Sequence, residues 1–287
     1  MITKTKTISK LLLILMLFIG WTFAPQKPAA AAGTTYVVNS DGDETDHDSN
    51  DGECLTSSGT CTLRAAIQQA NKDSATEDII TFNISSILVS TFINITNSLP
   101  TINTTMHIQG PNTYNGGDVV LNGGGNLMSG LEFKRFNSEI SSSGSSVSQL
   151  KIINFGMLGI LINDSNDITI SDCAIGSTAA PTIPGNLYGG ISLYKTSAAQ
   201  ILNNIVSSNG GAPSTNSSGI SIQEGGSNTV QGNKVGTDSN GIDDQPNIGS
   251  GISIHNSDNN IIGGTDPGQG NLISGNGGTG ILISRGS

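Results

Sequence analysis

Basic residues are scarce in this chain: 12 Lys and Arg stand against 22 Asp and Glu. All the acidic residues follow residue 32, whereas Lys4, Lys6, Lys10 and Lys27 precede it. Beyond that point eight basic residues face 22 acidic ones, a formal charge of −14. A phosphate backbone or an anionic bilayer repels such a surface, so no nucleic-acid partner is expected. Aromatic residues make up 4% of the chain, and its one tryptophan, Trp21, lies in the leading segment. Sugar stacking on indole is thereby excluded from the remainder. Long apolar runs are also missing, except from Leu11 to Ala24. That run follows three lysines and ends before Ala30-Ala31-Ala32, the pattern of a secretory signal peptide cleaved ahead of Gly33. No later stretch has the length of a membrane span.

What is abundant is glycine, 38 residues, and part of it is periodic. Gly159, Gly190, Gly219, Gly251 and Gly280 each open a Gly-Ile-x-aliphatic phrase, at intervals of 31, 29, 32 and 29 residues. Strand alternation at such a period, without helical spacing between copies, is the mark of stacked β-coils. Ile160, Ile191, Ile220, Ile252 and Ile281 follow the glycines directly. Ile162, Leu193, Ile222, Ile254 and Ile283 stand two residues further on, so both sets face one side of a strand. A second inward column comprises Ile170, Ile201, Val230 and Ile262. The turn after it carries Asn204, Asn233 and Asn271, with Cys173 in the same slot of the first coil. Asn tolerates left-handed turns, and stacked carboxamides bond to one another. The expected fold is an all-β parallel solenoid. Residues 1–32 form the signal peptide, 33–110 the N-terminal cap and first coils, and 111–287 the repeats. About 255 exported residues suffice for roughly eight to ten coils, a rod about 40–50 Å long. Gly280–Ser287 opens another coil and stops within it, so the natural chain is expected to continue, with further coils and an anchoring or secretion module.

The cap region has another texture. Tyr36-Val37-Val38-Asn39 reads as a strand, and Leu63, Ala66, Ile67 and Ala70 at i, i+3, i+4 and i+7 predict one short helix with Thr62 as N-cap. Such a helix suits an open solenoid end, where apolar side chains and strand edges need cover. Cys61-Thr62-Leu63-Arg64-Ala65-Ala66-Ile67, with Ala70-Asn71 behind it, resembles the Cys-Ser-Leu-Arg-Glu-Ala-Ile signature of CSLREA-type domains. Those domains stand at the N-terminus of secreted bacterial β-helix proteins. Asp78–Phe82, Leu99–Ile102, Ile108–Gly110, Ile262–Thr265 and Gly270–Asn276 resemble further segments of that family. Thr62 and Ala65 replace the signature's Ser and Glu, and Ala65 removes a carboxylate. The resemblance implies a secreted or cell-surface right-handed parallel β-helix, and no single activity.

Candidate sites are few. Cys54 and Cys61, with six residues between them in an exported chain, are expected to form a disulfide. Cys173 has no histidine in register and is expected to be structural rather than nucleophilic. Asp41, Asp43, Asp46, Asp48 and Asp51 crowd one Gly-containing loop, and alternating hard oxygen ligands suit calcium. The loop lacks the Gly and Glu positions of an EF-hand, and a solvated acidic loop is the alternative. No other cofactor is expected. Asp164, Asp167 and Asp172 share a coil, yet Ser197 and Gly226 stand at comparable places in the next ones, and His255 is isolated. Hydrolysis of a glycoside needs carboxylates converging on one face. The expected function is therefore non-catalytic: an exported rod presenting an extended surface for adhesion to glycans or proteins. A β-helix polysaccharide lyase or hydrolase is the first alternative, a structural surface rod or autotransporter passenger the second.

Overall fold

A computed structural model describes residues 31–72, 76–84, 90–111, 117–126, 128–138, 140–176, 184–211 and 217–285. The expected signal peptide lies outside these residues except for Ala31 and Ala32, which open the first strand, Ala31–Val38. Three parallel sheets wrap one core. Sheet A has eight strands in the described residues, running from Ala31–Val38 to Ile261–Ile262. Sheet B has seven, from Thr91–Asn94 to Leu272–Ile273, and sheet C six, from Leu131–Lys134 to Ile281–Ser284. About six turns result. Sheet A continues through two further rungs at the N-terminal end, Ala31–Val38 and Thr76–Phe82, beyond the six strands of sheet C, so its eight rungs stand at the low end of the eight to ten coils expected.

Sheet C holds Ile160, Ile191, Ile220, Ile252 and Ile281 in register, one per rung. Sheet A aligns Ile170, Ile201, Val230 and Ile262 in the same way. Sheet B is where the sequence reading needs correction. Residues 174–175, 205–206, 234–235 and 272–273, directly after the turn column of Cys173, Asn204, Asn233 and Asn271, are two-residue strands. They add a third inward column, Ile152, Ile175, Val206, Val235 and Ile273. Strands this short contain one inward residue each, so no alternation marks them. Most inward aliphatics are fully buried, each contributing about 1.5–3 kcal/mol by leaving water.

The recurring glycine has a packing cause. A Cβ on Gly190 would lie 2.5 Å from Val206 Cγ1 and 2.6 Å from the Gly219 carbonyl oxygen. On Gly251 it would lie 2.5 Å from Ile273 Cγ2 and 2.8 Å from the Gly280 carbonyl. The sheet B column thus presses on the entry to sheet C, where a side chain has no room.

At the N-terminal end, helix α1 (Leu63–Ala70) lies over the core. Thr62 caps it by accepting the Ala65 N–H at 3.1 Å. The expected single apolar stripe understates its burial: seven of its eight residues are buried. The acidic loop folds over the outer side, where Asp46 N–H donates to Gln68 Oε1 at 2.8 Å and Arg64 holds Asp43.

Candidate functional site

Stacking determines where functional groups can sit. Inward positions are filled by copies of one aliphatic type, leaving the outward faces and corners to vary. On sheet C the outward register runs Lys134, Asn163, Tyr194, Gln223, His255 and Ser284. A second outward column beside it contains Ser192, Ser221 and Ser253. Neighbouring rungs repeat about every 4.8 Å, so hydroxyl, amide, phenol and imidazole groups form a continuous strip. Lys195 Nζ lies 5.0 Å from the centre of the Tyr194 ring. His255 Nδ1 is 3.0 Å from Ser284 Oγ, and its Nε2 is 3.1 Å from Asn256 Nδ2. The histidine isolated in sequence therefore belongs to this strip.

The corner after sheet C carries alternating charge. Arg135 pairs with Asp164 at 2.9 Å, and Lys195 with Glu224 at 3.7 Å. Asp164, Lys195, Glu224 and Asn256 all adopt left-handed backbone, φ between 48° and 54°. Asp167, later in the same turn, and Asp172, at the next corner, adopt φ 57° and 54°. The three aspartates weighed as a catalytic set thus stand at two turns: Asp164 and Asp167 in the one from sheet C to sheet A, and Asp172 in the one from sheet A to sheet B. Their shared property is tolerance of the left-handed region, which Asp has more than most residues.

Asn204, Asn233 and Asn271 stack in the turn between sheets A and B. Asn204 Nδ2 donates to Asn233 Oδ1 at 3.1 Å, and Asn233 Nδ2 to Asn271 Oδ1 at 3.0 Å. Cys173 starts this column: its N–H donates to Asn204 Oδ1 at 3.0 Å. Burial pushes its thiol up to about 12, so at neutral pH it is a protonated, unreactive group. A second column, Asn186, Asn209, Asn247 and Asn276, was missed in the sequence; its carboxamides join at 3.0, 2.9 and 2.9 Å. A signal existed, since Asn186, Asn247 and Asn276 each stand four residues before a repeat glycine. In the remaining coil, residues added between Asn209 and Gly219 break that spacing.

In the cap, Cys54 and Cys61 form a disulfide. The five loop aspartates do not converge. Asp43 accepts from Arg64 Nη2 at 2.8 and 2.9 Å and from Thr96 N–H and Oγ1 at 2.9 Å. Asp46 accepts from the N–H groups of Asp48 and Leu55, Asp48 from that of Asn50, and Asp51 from that of Glu53. Burial pushes the Asp46 carboxyl up, against the pull of its two N–H donors. Asp41 lies at the exposed start of the loop. Among the described residues no three His, Cys, Asp or Glu side chains are grouped to hold a metal ion. A calcium ion would need several of these carboxylates to turn from their present donors.

The family model for the right-handed β-helix region matches residues 137–287, just over half of the chain. The chain belongs to the right-handed β-helix family. That assignment gives the coil its hand and covers the strip on sheet C from Asn163 onward. No curated protein matches the chain. No helix among the described residues is long and apolar enough to cross a membrane.

Proposed function

We propose that this right-handed β-helix protein is exported and presents the outward strip of sheet C as an extended binding surface for a glycan or protein ligand. The observation carrying this reading is the register of Lys134, Asn163, Tyr194, Gln223, His255 and Ser284, with Ser192, Ser221 and Ser253 beside them. A flat array of varied hydrogen-bonding groups at a fixed pitch suits an extended ligand, because successive rungs can meet successive units of it. Export is supported by the Cys54–Cys61 disulfide, which persists in oxidising compartments. The CSLREA-type reading of the cap draws support from Arg64, whose guanidinium joins the acidic loop to the carbonyls of Asn97 and Ser98 at 2.7 Å. The binding reading is favoured over catalysis because Asp172 stands at a different corner from Asp164 and Asp167, and glycoside hydrolysis needs carboxylates converging on one face.

The test screens acidic and neutral polysaccharides, with and without calcium, for both retention and turnover, and a surface protein extract for retention. Retention without turnover, weakened by Tyr194→Ala and Gln223→Ala, is expected. Turnover abolished by Asp164→Ala or Asp172→Ala would replace this reading with a polysaccharide-degrading enzyme. Neither retention nor turnover would leave a structural surface rod.

A further inference from the structure

A groove of about 360 Å³ lies on the outside of the helix where sheet A turns into sheet B. It is separate from the sheet C strip. Its floor is aliphatic, from the outward-facing Ala174 and Ile205 on adjacent rungs. Its walls are polar: Asp118 and Lys151 on one side, Gln149, Asp172 and Asn203 along the corner. The charges are unevenly matched. Lys151 Nζ is paired with Asp118 Oδ2, while the Asp172 carboxylate has no ion-pair or hydrogen-bond partner among the described residues. One positive and two negative groups leave the groove with a formal charge of −1. Gln149 Oε1, at the wall, is buried without a hydrogen-bond donor.

We propose that this groove binds a saccharide bearing a free amino group. An ammonium supplies the donors and the positive charge that Asp172 and Gln149 lack, and the C–H face of a sugar ring covers Ala174 and Ile205. The volume falls in the range of small-ligand sites. A uronate or phosphate ligand fits poorly, since the one cation present is already neutralised. A neutral sugar would find no aromatic platform here to supply affinity. An extended peptide is disfavoured because the strands lining the groove, Lys151–Ile153, Ala174–Ile175 and Ile205–Val206, are paired on both sides. They offer no free edge for strand addition.

The proposal shares with the binding-surface reading only its ligand class, and the experiment separates the two. Calorimetry with a glucosamine tetramer is run on the full chain, on Asp172→Asn, and on Tyr194→Ala/Gln223→Ala, with an N-acetylglucosamine tetramer as the uncharged comparison. Asn suits the corner, since Asn203 already adopts φ 57° at the next rung, so the thermal midpoint of Asp172→Asn should match the parent. Loss of a charge-assisted contact weakens binding roughly tenfold or more. A loss of that size is expected for Asp172→Asn and for the N-acetylated tetramer, with the sheet C variant unchanged. No binding of the amino tetramer, equal binding by Asp172→Asn, or equal binding of the acetylated tetramer would each overturn the groove assignment. Loss confined to the sheet C variant would overturn it too, while leaving the binding-surface reading in place.

Discussion

Asn233→Ala is the most direct probe of what holds the coils in register. The Asn233 carboxamide is fully buried. Its oxygen accepts from the Asn204 backbone N–H at 2.8 Å and from Asn204 Nδ2 at 3.1 Å. Its nitrogen donates to the Ile201 carbonyl at 2.8 Å, the Gln231 carbonyl at 3.0 Å and Asn271 Oδ1 at 3.0 Å. Asn204 Nδ2 keeps another acceptor, the Ile170 carbonyl, so truncation strands chiefly the Asn204 N–H and the Ile201 carbonyl contact. Each buried polar group left without a partner costs about 1–3 kcal/mol, and the two together predict a loss of about 2–6 kcal/mol. Urea denaturation followed by circular dichroism measures it, with Asn203→Ala as the comparison. Asn203 is adjacent to Asn204, the column neighbour of Asn233, but is exposed, at φ 57°, and its replacement costs only the left-handed strain, about 1–2 kcal/mol. Asn233→Leu restores volume without hydrogen bonds and should be nearly as damaging as Ala. If Asn233→Leu were as stable as the parent, or Asn233→Ala lost no more than Asn203→Ala, the carboxamide column would be a consequence of the stack and not one of its causes.

Ile220→Asp places a carboxylate in a fully buried aliphatic column and should abolish the cooperative urea transition, because an unpaired buried charge costs several kcal/mol. The Cys173 thiol is raised from its ordinary 9.0 to about 12 in the folded chain. The folded state then holds a proton that the unfolded state releases, so its stability is complete below pH 9 and declines between pH 9 and 12, at about 1.4 kcal/mol per pH unit. Cys173→Ala should remove that part of the alkaline slope, and unchanged slopes would refute the assignment; the native thiol should also resist alkylation at pH 8. Arg64→Lys keeps the charge but loses the forked contact with Asp43, and should destabilise the cap by about 1–3 kcal/mol. Faster proteolysis within residues 41–53 is the readout.

The inward columns of sheets C and A were legible because β-branched residues recur at fixed offsets from a glycine, as with Ile160, Ile191, Ile220 and Ile252. Sheet B was not, since strands such as Ala174–Ile175 are too short to alternate. The Asn column from Asn186 to Asn276 was half legible, its spacing broken by residues inserted in one coil. The acidic loop was legible as a composition but not as a structure. The partner that organises Asp43 is Arg64, 21 residues away across the disulfide loop, and nothing local announces it. The aspartates that follow are satisfied by backbone N–H groups of their own turns, such as Asp48 by Asn50, which spacing alone does not distinguish from calcium ligation.

The same physics explains why the fold is plainer in this chain than the ligand. An inward residue stacks on the equivalent residue of the next rung, so Ile162, Leu193, Ile222 and Ile254 must match in size and shape, and repetition follows. An outward residue answers to no such demand, and one register takes the carboxamides Asn163 and Gln223 together with the phenol of Tyr194 and the imidazole of His255. Repetition outside can even be costly, because like charges about 4.8 Å apart on adjacent rungs repel. The corner after sheet C avoids that cost by alternating Arg135, Asp164, Lys195 and Glu224. The binding proposed here therefore falls to the residues that break the repeat, and the sheet C strip and the Asp172 groove are two places where the breaks lie side by side.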